Sequence, residues 1–390
     1  MKNRYINFRS DAFKILFLFI LWKFILCITL LYGIKYITLG NIDRFLGGGP
    51  ANFSIAPQLF SWANFDGEHY LAIAMNGYKP LEQAFFPLYP LLISILAKPF
   101  IFHSNIFLNI INSTIVGLLV SNISFFLSLL VLYKLIIIDF SRKIALLTII
   151  MLLIFPTSFY FGALYSESLF LLLTLLAFLS ARKKNWILAG IFGGLASATR
   201  IFGILLFFSF LIEAYQQKEK FKKWFWILLI PSGLIFYMLY QFITVGDPLA
   251  FYNLQVIVGQ QHQTGIILLP QVYFRYTKML LTTNMHNSLY QTILLEFLSG
   301  ILFFLLPIIG FFKKVRFSYL VFALFGFMIP TIQGSFSSTP RYVLVLFPSF
   351  LVSAILFTRL NLIIKFIVII SFGLCLAIES LLFFRGYWVA

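Results

Sequence analysis

Twelve apolar runs recur along the chain, near residues 13–38, 85–102, 107–133, 144–162, 167–181, 186–200, 201–214, 224–245, 289–312, 317–333, 341–358 and 361–384. Each predicts a helix, since a backbone that cannot reach water must satisfy its polar groups within the segment. The polar positions between the runs are few, and one kind is basic: Lys134/Arg142/Lys143, Arg182/Lys183/Lys184, Lys218 to Lys223 and Lys313/Lys314/Arg316. Lys and Arg gather in short cytoplasmic loops, so these groups and the basic N-terminus belong on one side. Twelve crossings would separate them; leaving one run uncrossed restores agreement. The run 85–102, FFPLYPLLISILAKPFIF, holds three prolines and Lys98 and is barely long enough to span, so it is assigned to the outer interface. The pattern predicts an all-α polytopic membrane protein of about 11 transmembrane helices, N-terminus inside and C-terminus outside. Residues 39–106 then form a long first external loop with interfacial helices, and 246–288 a second.

Composition supports that class. Hydrophobic residues make up 61% of the chain and charged residues 11%. No polar stretch is long enough for a separate soluble domain, so residues 1–390 read as a single transmembrane domain. The net charge of +17 is dispersed among the loops instead of forming a patch with interleaved aromatics, which is a topology signal and argues against a nucleic-acid partner. Cys27 and Cys375 both lie in apolar runs and offer neither a CxxC pair nor a disulfide framework. The opening MKNRYINFRSDAFK lacks a small-residue cleavage site and reads as the start of an uncleaved first span. No internal repeat stands out, which weighs against a transporter of inverted halves.

The second kind of polarity collects at the predicted external ends of the runs. Only 12 residues are acidic, and Asp66, Glu68 and Glu82 fall together with His69 in FDGEHYLAIAMNGYKPLEQAFFPLYP, 65–90. In a helical turn Asp66 and His69 share a face beside Tyr70, and a carboxylate oriented by an imidazole is a general base. A competing and compatible reading makes Asp66 the N-cap of the helix GEHYLAIAM, with Glu68 in its first turn. Asp66, His69 and Glu82 match no common metal-ligand spacing, and no metal residues are assigned. FGALYSES, 161–168, puts Tyr165 and Glu167 at an external helix start, where Glu167 serves the helix dipole, binds sugar hydroxyls or completes a metal site. Arg200 sits at the outer turn of a helical hairpin and Arg341 in SSTPRY, 337–342. A buried unpaired charge would cost on the order of 2.5 kcal/mol or more there. Each therefore binds an anion or snorkels to lipid head groups. Asp247 in GDPLAFY is a turn starter, and His262 and His286 lack ligand-spaced partners and read as interfacial.

FDGEHYLAIAMNGY followed by AFFPLYPLL resembles the hallmark of the GPI mannosyltransferase II (PIG-V-like) family of GT-C glycosyltransferases, whose pattern runs aromatic-Asp-x-x-His-aromatic, Gly-Tyr, Ala-Phe-Phe-Pro. FPTSFYFGALYSESLFLL (155–172), LAGIFGGLASATRIFG (188–203), GDPLAFYNLQ (246–255) and STPRYVLVLFP (338–348) are similar to later blocks of that family in the same order. Phe65 holds the place of a common family Trp, and Trp62, three residues earlier, keeps an aromatic wall. The resemblance implies a GT-C-like fold and an inverting transfer of mannose from polyprenyl (dolichyl) phosphate mannose to a hydroxyl of a lipid-linked or exported acceptor. Asp66 would be the base, with Glu68, His69, Tyr165, Glu167, Arg200 and Arg341 binding substrate, the two arginines toward the leaving phosphate. The AFFPLYP segment would guide the prenyl chain. The implied partners are that donor, that acceptor and membrane lipids; a divalent cation is left open as cofactor. The implied location is the cell membrane with an external site, or the ER membrane with a luminal site in a eukaryote. The alternatives are a GT-C transferase using another polyprenyl-phosphate sugar, and a polytopic lipid or solute transporter. The latter would place its polarity near the midplane of paired halves, whereas here polarity sits at the outer ends.

Overall fold

The computed structural model describes residues 2–40, 42, 45–102, 105–254, 267–285 and 288–389, and its regular structure is helical throughout these residues. The helices used below are α1 Lys2–Tyr36, α2 Asp66–Asn76, α3 Leu88–Ala97, α4 Ile106–Ile136, α5 Arg142–Leu153, α6 Glu167–Arg182, α7 Trp186–Ser197, α8 Leu205–Gln216, α9 Ser232–Val245, α10 Leu269–Thr282, α11 Ser288–Phe312, α12 Phe317–Thr331, α13 Phe347–Thr358 and α14 Leu362–Phe384. The predicted all-α class is therefore what the chain adopts.

Among the described residues, five helical stretches are long and apolar enough to cross a membrane: Ser10–Tyr36, Ile106–Ile136, Phe221–Val245, Leu289–Phe312 and Leu362–Phe384. A sixth arises if Thr339–Val345 and Phe347–Thr358, bent by 87°, count as one. Several other runs of the predicted eleven fold as shorter pieces. The run 144–162 ends its helix at Leu153, ahead of Pro156, and continues as a 3-10 turn over Ser158–Gly162. The runs 186–200 and 201–214 give helices α7 and α8 of 12 residues each. Hydropathy reports that a run is apolar, whereas backbone breaks decide how far a helix extends. The run 85–102 yields the ten-residue α3, closed by the turn Lys98–Phe100. At 1.5 Å per residue it is roughly 15 Å long, about half a hydrocarbon core.

The chain gathers into two compact units. The first comprises Met1–Gly77, Leu88–Leu179 and Ala354–Trp388. Its first and last long helices are tied near one end, where Thr29 Oγ1 meets Ser380 Oγ at 3.1 Å and Arg385 Nε donates to Ile37 O at 2.9 Å. Near the N-terminal part of α1, Asp11 accepts from the Tyr133 hydroxyl, with Lys14 at 3.3 Å and Arg142 at 4.0 Å. The part of α6 in this unit is apolar on nearly every face beyond its first turn and almost wholly buried, as a central helix must be.

The second unit comprises Tyr78–Pro87, Ser180–Ser353 and Val389–Ala390. Here α7 and α9 meet through glycines: a Cβ on Gly233 would stand 2.1 Å from Gly194 O, so only a bare backbone permits the approach. Ser197 Oγ donates to Ile230 O at 2.6 Å across the same seam. At the far end of α8, the fully buried Glu213 accepts from Arg316 Nε at 2.8 and 2.9 Å, Ser318 Oγ at 2.5 Å and Gln217 Nε2 at 2.6 Å, with Arg182 Nε at 3.5 Å. Two arginines from the basic loop groups thus neutralise a carboxylate that would otherwise be costly to bury. Lys184 and Lys223 do the same for Glu219, at 3.3 and 2.8 Å.

Candidate active site

The first unit holds the FDGEHY motif. Residues 66–76 form α2, and the cap position before it is taken by Phe65, whose φ of 58° and ψ of −121° are unusual for a residue with a side chain. Asp66 is the first helical residue and shares the first turn with Glu68, so the N-cap reading of Asp66 gives way to a first-turn position that favours negative charge. The turn persists because its surroundings hold it. The Phe65 ring packs edge-on to Trp388 at 5.5 Å and lies 6.0 Å from Phe383. Asn64 Nδ2 donates to Phe383 O at 2.8 Å, and Asn64 O accepts from the Tyr165 hydroxyl at 2.8 Å. Trp62, buried, lies against Phe384 at 4.5 Å and under the Lys23 ammonium, 3.5 Å from its ring centroid. The aromatic wall expected of Trp62 and Phe65 is present, and it braces the backbone of the motif.

The same turn is strapped to the YSES segment. Leu164 N donates to Trp62 O at 2.8 Å, and a Cβ on Gly67 would stand 3.2 Å from Leu164 O and 3.5 Å from the Tyr165 ring. Tyr70 OH meets Ser166 Oγ at 2.9 Å. Two motifs a hundred residues apart in sequence thereby become neighbours: Asp66 opens α2 and Glu167 opens α6, with Tyr165 beside Gly67. Tyr165 and Glu167 are both buried, while Asp66 and Glu68 are half-buried and His69 is exposed. Asp66 and His69 lie one turn apart on α2, as the spacing predicts. Glu68 has a structural task, since its Oε2 accepts from Leu46 N at 3.1 Å, where Leu46 itself has a φ of 46°. Tyr89 of α3 reaches Ser121 Oγ at 2.7 Å and donates to Gly117 O at 3.1 Å. Burial raises its phenol well above the ordinary value, so it stays protonated.

The second unit holds the two arginines and brings them together. Arg200 is extended, φ −156° and ψ 149°, at the break between α7 and the turn Ile201–Ile204. Gly203 keeps that break tight, for a Cβ there would fall 2.3 Å from Ser197 N. Arg341 lies in the short helical turn Thr339–Tyr342, which follows Ser338 at φ 59°. Both guanidinium carbons stand near one ring, Arg200 at 5.6 Å and Arg341 at 5.1 Å from the Tyr342 centroid, and Arg200 is also 5.7 Å from Phe202. Arg341 is buried and Arg200 half-buried. Two cations sharing one aromatic ring make a strongly electropositive spot suited to a phosphate. Tyr342 was missed in the sequence, although it stands directly beside Arg341.

Other expectations resolve in turn. Phe85 and Phe86 of the AFFPLYP segment are buried, Phe86 against Tyr237 at 5.1 Å and Phe251 at 5.5 Å. The Tyr237 hydroxyl reaches Gln83 O and Phe85 O, both at 2.8 Å. The exposed apolar positions follow on α3, at Leu91, Ile95 and Leu96. Glu82 Oε2 accepts from Lys79 N at 2.7 Å within its own loop. Asp247 starts a turn as expected, accepting from Leu249 N at 2.9 Å and Asn253 Nδ2 at 2.8 Å. His262 and His286 lie outside the described residues. Among the described residues no three His, Cys, Asp or Glu side chains gather as metal ligands. The buried Glu296 and Tyr276 were also missed, though a lone carboxylate inside an apolar run is itself a signal.

Among solved structures the chain is similar to the oligosaccharyltransferase of Archaeoglobus fulgidus. The form tethered with an acceptor peptide containing the NVT sequon matches at 14% identity and a TM-score of 0.42, over 94% of this chain and 55% of that one. The complex with Zn and sulfate matches at 15% identity and a TM-score of 0.42, over 93% and 53%. The chain thus spans about half the length of these proteins. No curated protein matches the sequence. The profile of the mannosyltransferase (PIG-V) family matches residues 52–253, more than half of the 390 positions, and takes in FDGEHY, YSES, TRIFG and GDPLAFY. This helical chain, with several membrane-capable helices and that family's signature over most of its N-terminal two-thirds, belongs to the mannosyltransferase (PIG-V) family.

Proposed function

We propose that the protein transfers mannose from a polyprenyl phosphate mannose to a hydroxyl of a lipid-linked or exported acceptor, with inversion and with Asp66 as general base. The observation that supports this reading most is the Phe65 turn. A backbone conformation unfavourable for Phe is maintained by aromatic packing at the residue that aims Asp66, and stored strain of this kind collects at functional sites. In the reaction the acceptor oxygen attacks the anomeric carbon opposite the phosphate as its proton passes to the Asp66 carboxylate. The bond from carbon to phosphate oxygen breaks, and its electron pair leaves with the polyprenyl phosphate. A phosphate is already a good leaving group, so one carboxylate suffices where glycoside hydrolases need an acid and a base. Its developing charge falls to Arg200 and Arg341. His69 orients Asp66 or touches donor, and Tyr165 and Glu167 bind sugar hydroxyls. In this reading the arrangement is GT-C-like, residues 39–106 and 246–288 are external loops, and the active site faces the cell exterior, or the ER lumen in a eukaryote.

The test is transfer by the purified full-length protein in lipid, supplied with polyprenyl phosphate mannose and a glycolipid acceptor, with the product linkage read by NMR. The expected product carries mannose in the anomeric configuration opposite to the donor's. Retained configuration contradicts direct displacement, and transfer from a different polyprenyl-phosphate sugar alone contradicts mannose as the donated group.

A further inference from the structure

Glu296 is the lone acidic residue of α11, a helix long and apolar enough to cross a membrane, and it is buried. A carboxylate in such a place is expensive unless it has partners and a purpose. Its partners all bear on one segment. Oε1 accepts from Ser338 N at 3.1 Å, and Oε2 accepts from the Tyr276 hydroxyl at 2.8 Å. Tyr276, itself buried on α10, accepts in turn from Phe336 N at 3.1 Å and meets Ser335 Oγ at 3.2 Å. Two buried backbone donors of residues 336–338 are thus satisfied by one carboxylate and the phenol it holds. Burial first, and then the Glu296 charge, push that phenol above its ordinary value and keep it a donor. Arg275, next to Tyr276, donates through Nη1 to Gly334 O at 2.8 Å, and Phe336 is seated against Gly300 of α11, where a Cβ would stand 2.9 Å from its ring.

What this assembly fixes is the backbone at Ser338, with its φ of 59°, and the turn Thr339–Tyr342 that follows. Arg341 and Tyr342 ride on that turn three and four residues from the anchored amide. A purely structural lock between α10 and α11 could be apolar, at far less cost in desolvation. This one spends a buried carboxyl group on the Ser338 amide and on the phenol that holds the Phe336 amide, in the segment that leads into the Arg341 turn. We propose that Glu296 and Tyr276 are positioning residues which hold the 335–338 turn and so aim Arg341 at the donor phosphate, an inference that rests on the mannosyl-transfer reading above.

The experiment measures the KM for polyprenyl phosphate mannose and the Kd for polyprenyl phosphate itself, on full-length protein in lipid. It compares wild type, Glu296→Gln, Tyr276→Phe, Arg341→Gln and the pairing of Glu296→Gln with Arg341→Gln. Positioning through Arg341 predicts a rise of about tenfold in KM and Kd for Glu296→Gln, a smaller rise for Tyr276→Phe, and less than about twofold further loss when Glu296→Gln is added to Arg341→Gln. A Glu296→Gln penalty of the same factor in both backgrounds, or a lowered Tm with donor KM unchanged, overturns it. If Glu296→Gln does not fold, Tyr276→Phe decides, since it keeps the ring and loses only the hydroxyl: unchanged donor KM and Kd contradict the lock. Wild-type protein that neither transfers mannose nor binds polyprenyl phosphate contradicts the mannosyl-transfer reading itself. Binding that Arg341→Gln weakens and Glu296→Gln does not contradicts the positioning role alone.

Discussion

The turn that delivers Asp66 and the turn that delivers Arg341 both pass through a residue in the left-handed half of φ, Phe65 at 58° and Ser338 at 59°, yet their support differs in kind. Phe65 is held by rings, Phe383 and Trp388, with the Asn64 and Tyr165 bonds beside it. Ser338 is held by a buried carboxylate that accepts its backbone N–H. Aromatic support depends on shape and contact area, so it tolerates exchange among large rings and fails on truncation. Polar support depends on a specific donor and acceptor, and a single oxygen lost leaves buried groups unpaired. In the proposed mechanism Asp66 is thus aimed by packing and Arg341 by hydrogen bonds, and the two should break under different substitutions.

Short of replacing Asp66 itself, the largest effect along this comparison is expected at the arginines. A charge-assisted hydrogen bond to phosphate is worth about 1.5–3 kcal/mol, so Arg341→Gln and Arg200→Gln should each weaken donor use by roughly tenfold to a hundredfold. Steady-state kinetics with varied donor check this. Snorkelling arginines would give near-wild-type donor KM and a lowered Tm instead. Because both guanidinium groups share the Tyr342 ring, the double substitution should fall short of the product of the single effects.

A step smaller is the aromatic support of Asp66. Phe65→Ala should lower kcat by about tenfold with little change in donor KM, because a misaimed base slows the chemical step and leaves the phosphate contacts intact. Phe65→Trp should restore most of the rate, since a large ring can still meet Trp388 and Phe383. Equal losses for Ala and Trp would show that the wall is not what sets the turn.

The smallest effect belongs to charges remote from both turns. Lys223 first, and Lys184 with it, hold the Glu219 carboxyl below its ordinary range. A depressed folded-state pKa contributes stability that is fully present above the unfolded value, about 4.3, and is lost as pH falls through the lower folded value. Thermal unfolding followed from pH 7 downward should therefore find Glu219→Gln slightly less stable than wild type near neutrality and the two converging below about pH 4. A constant gap across that range contradicts the ion-pair origin, and activity at pH 7 should not change.

The contrast also explains how far the sequence could be read. The helical class was legible because apolar runs without polar partners have little alternative, and the block order carried the family. The lengths of the crossings were less so, since a break near Pro156 divides a run of uniform composition and the runs on either side of Arg200 give helices of only 12 residues. Asp66 and Arg341 were legible because charges are scarce and fall at the ends of runs. Their support was not. Phe is a residue type that argues against a positive φ, and its neighbourhood is set from 319 positions away, where Asn64 meets Phe383 O. Glu296 stood in plain view inside an apolar run, but its meaning depends on Tyr276 and the Ser338 amide, which only the fold brings to it.

The most direct measurement of the central claim is mannose transfer by Asp66→Asn, with folding confirmed by size-exclusion chromatography and thermal unfolding. Asn is nearly the same shape, and Phe65 takes the cap position, so helix α2 has no need of the carboxylate as its N-cap. A general base typically contributes about 100- to 10,000-fold, so kcat should fall by that range while donor Kd and Tm stay close to wild type. A folded Asp66→Asn protein that transfers mannose within a few fold of wild type contradicts the assignment and leaves Asp66 as a first-turn acid of α2.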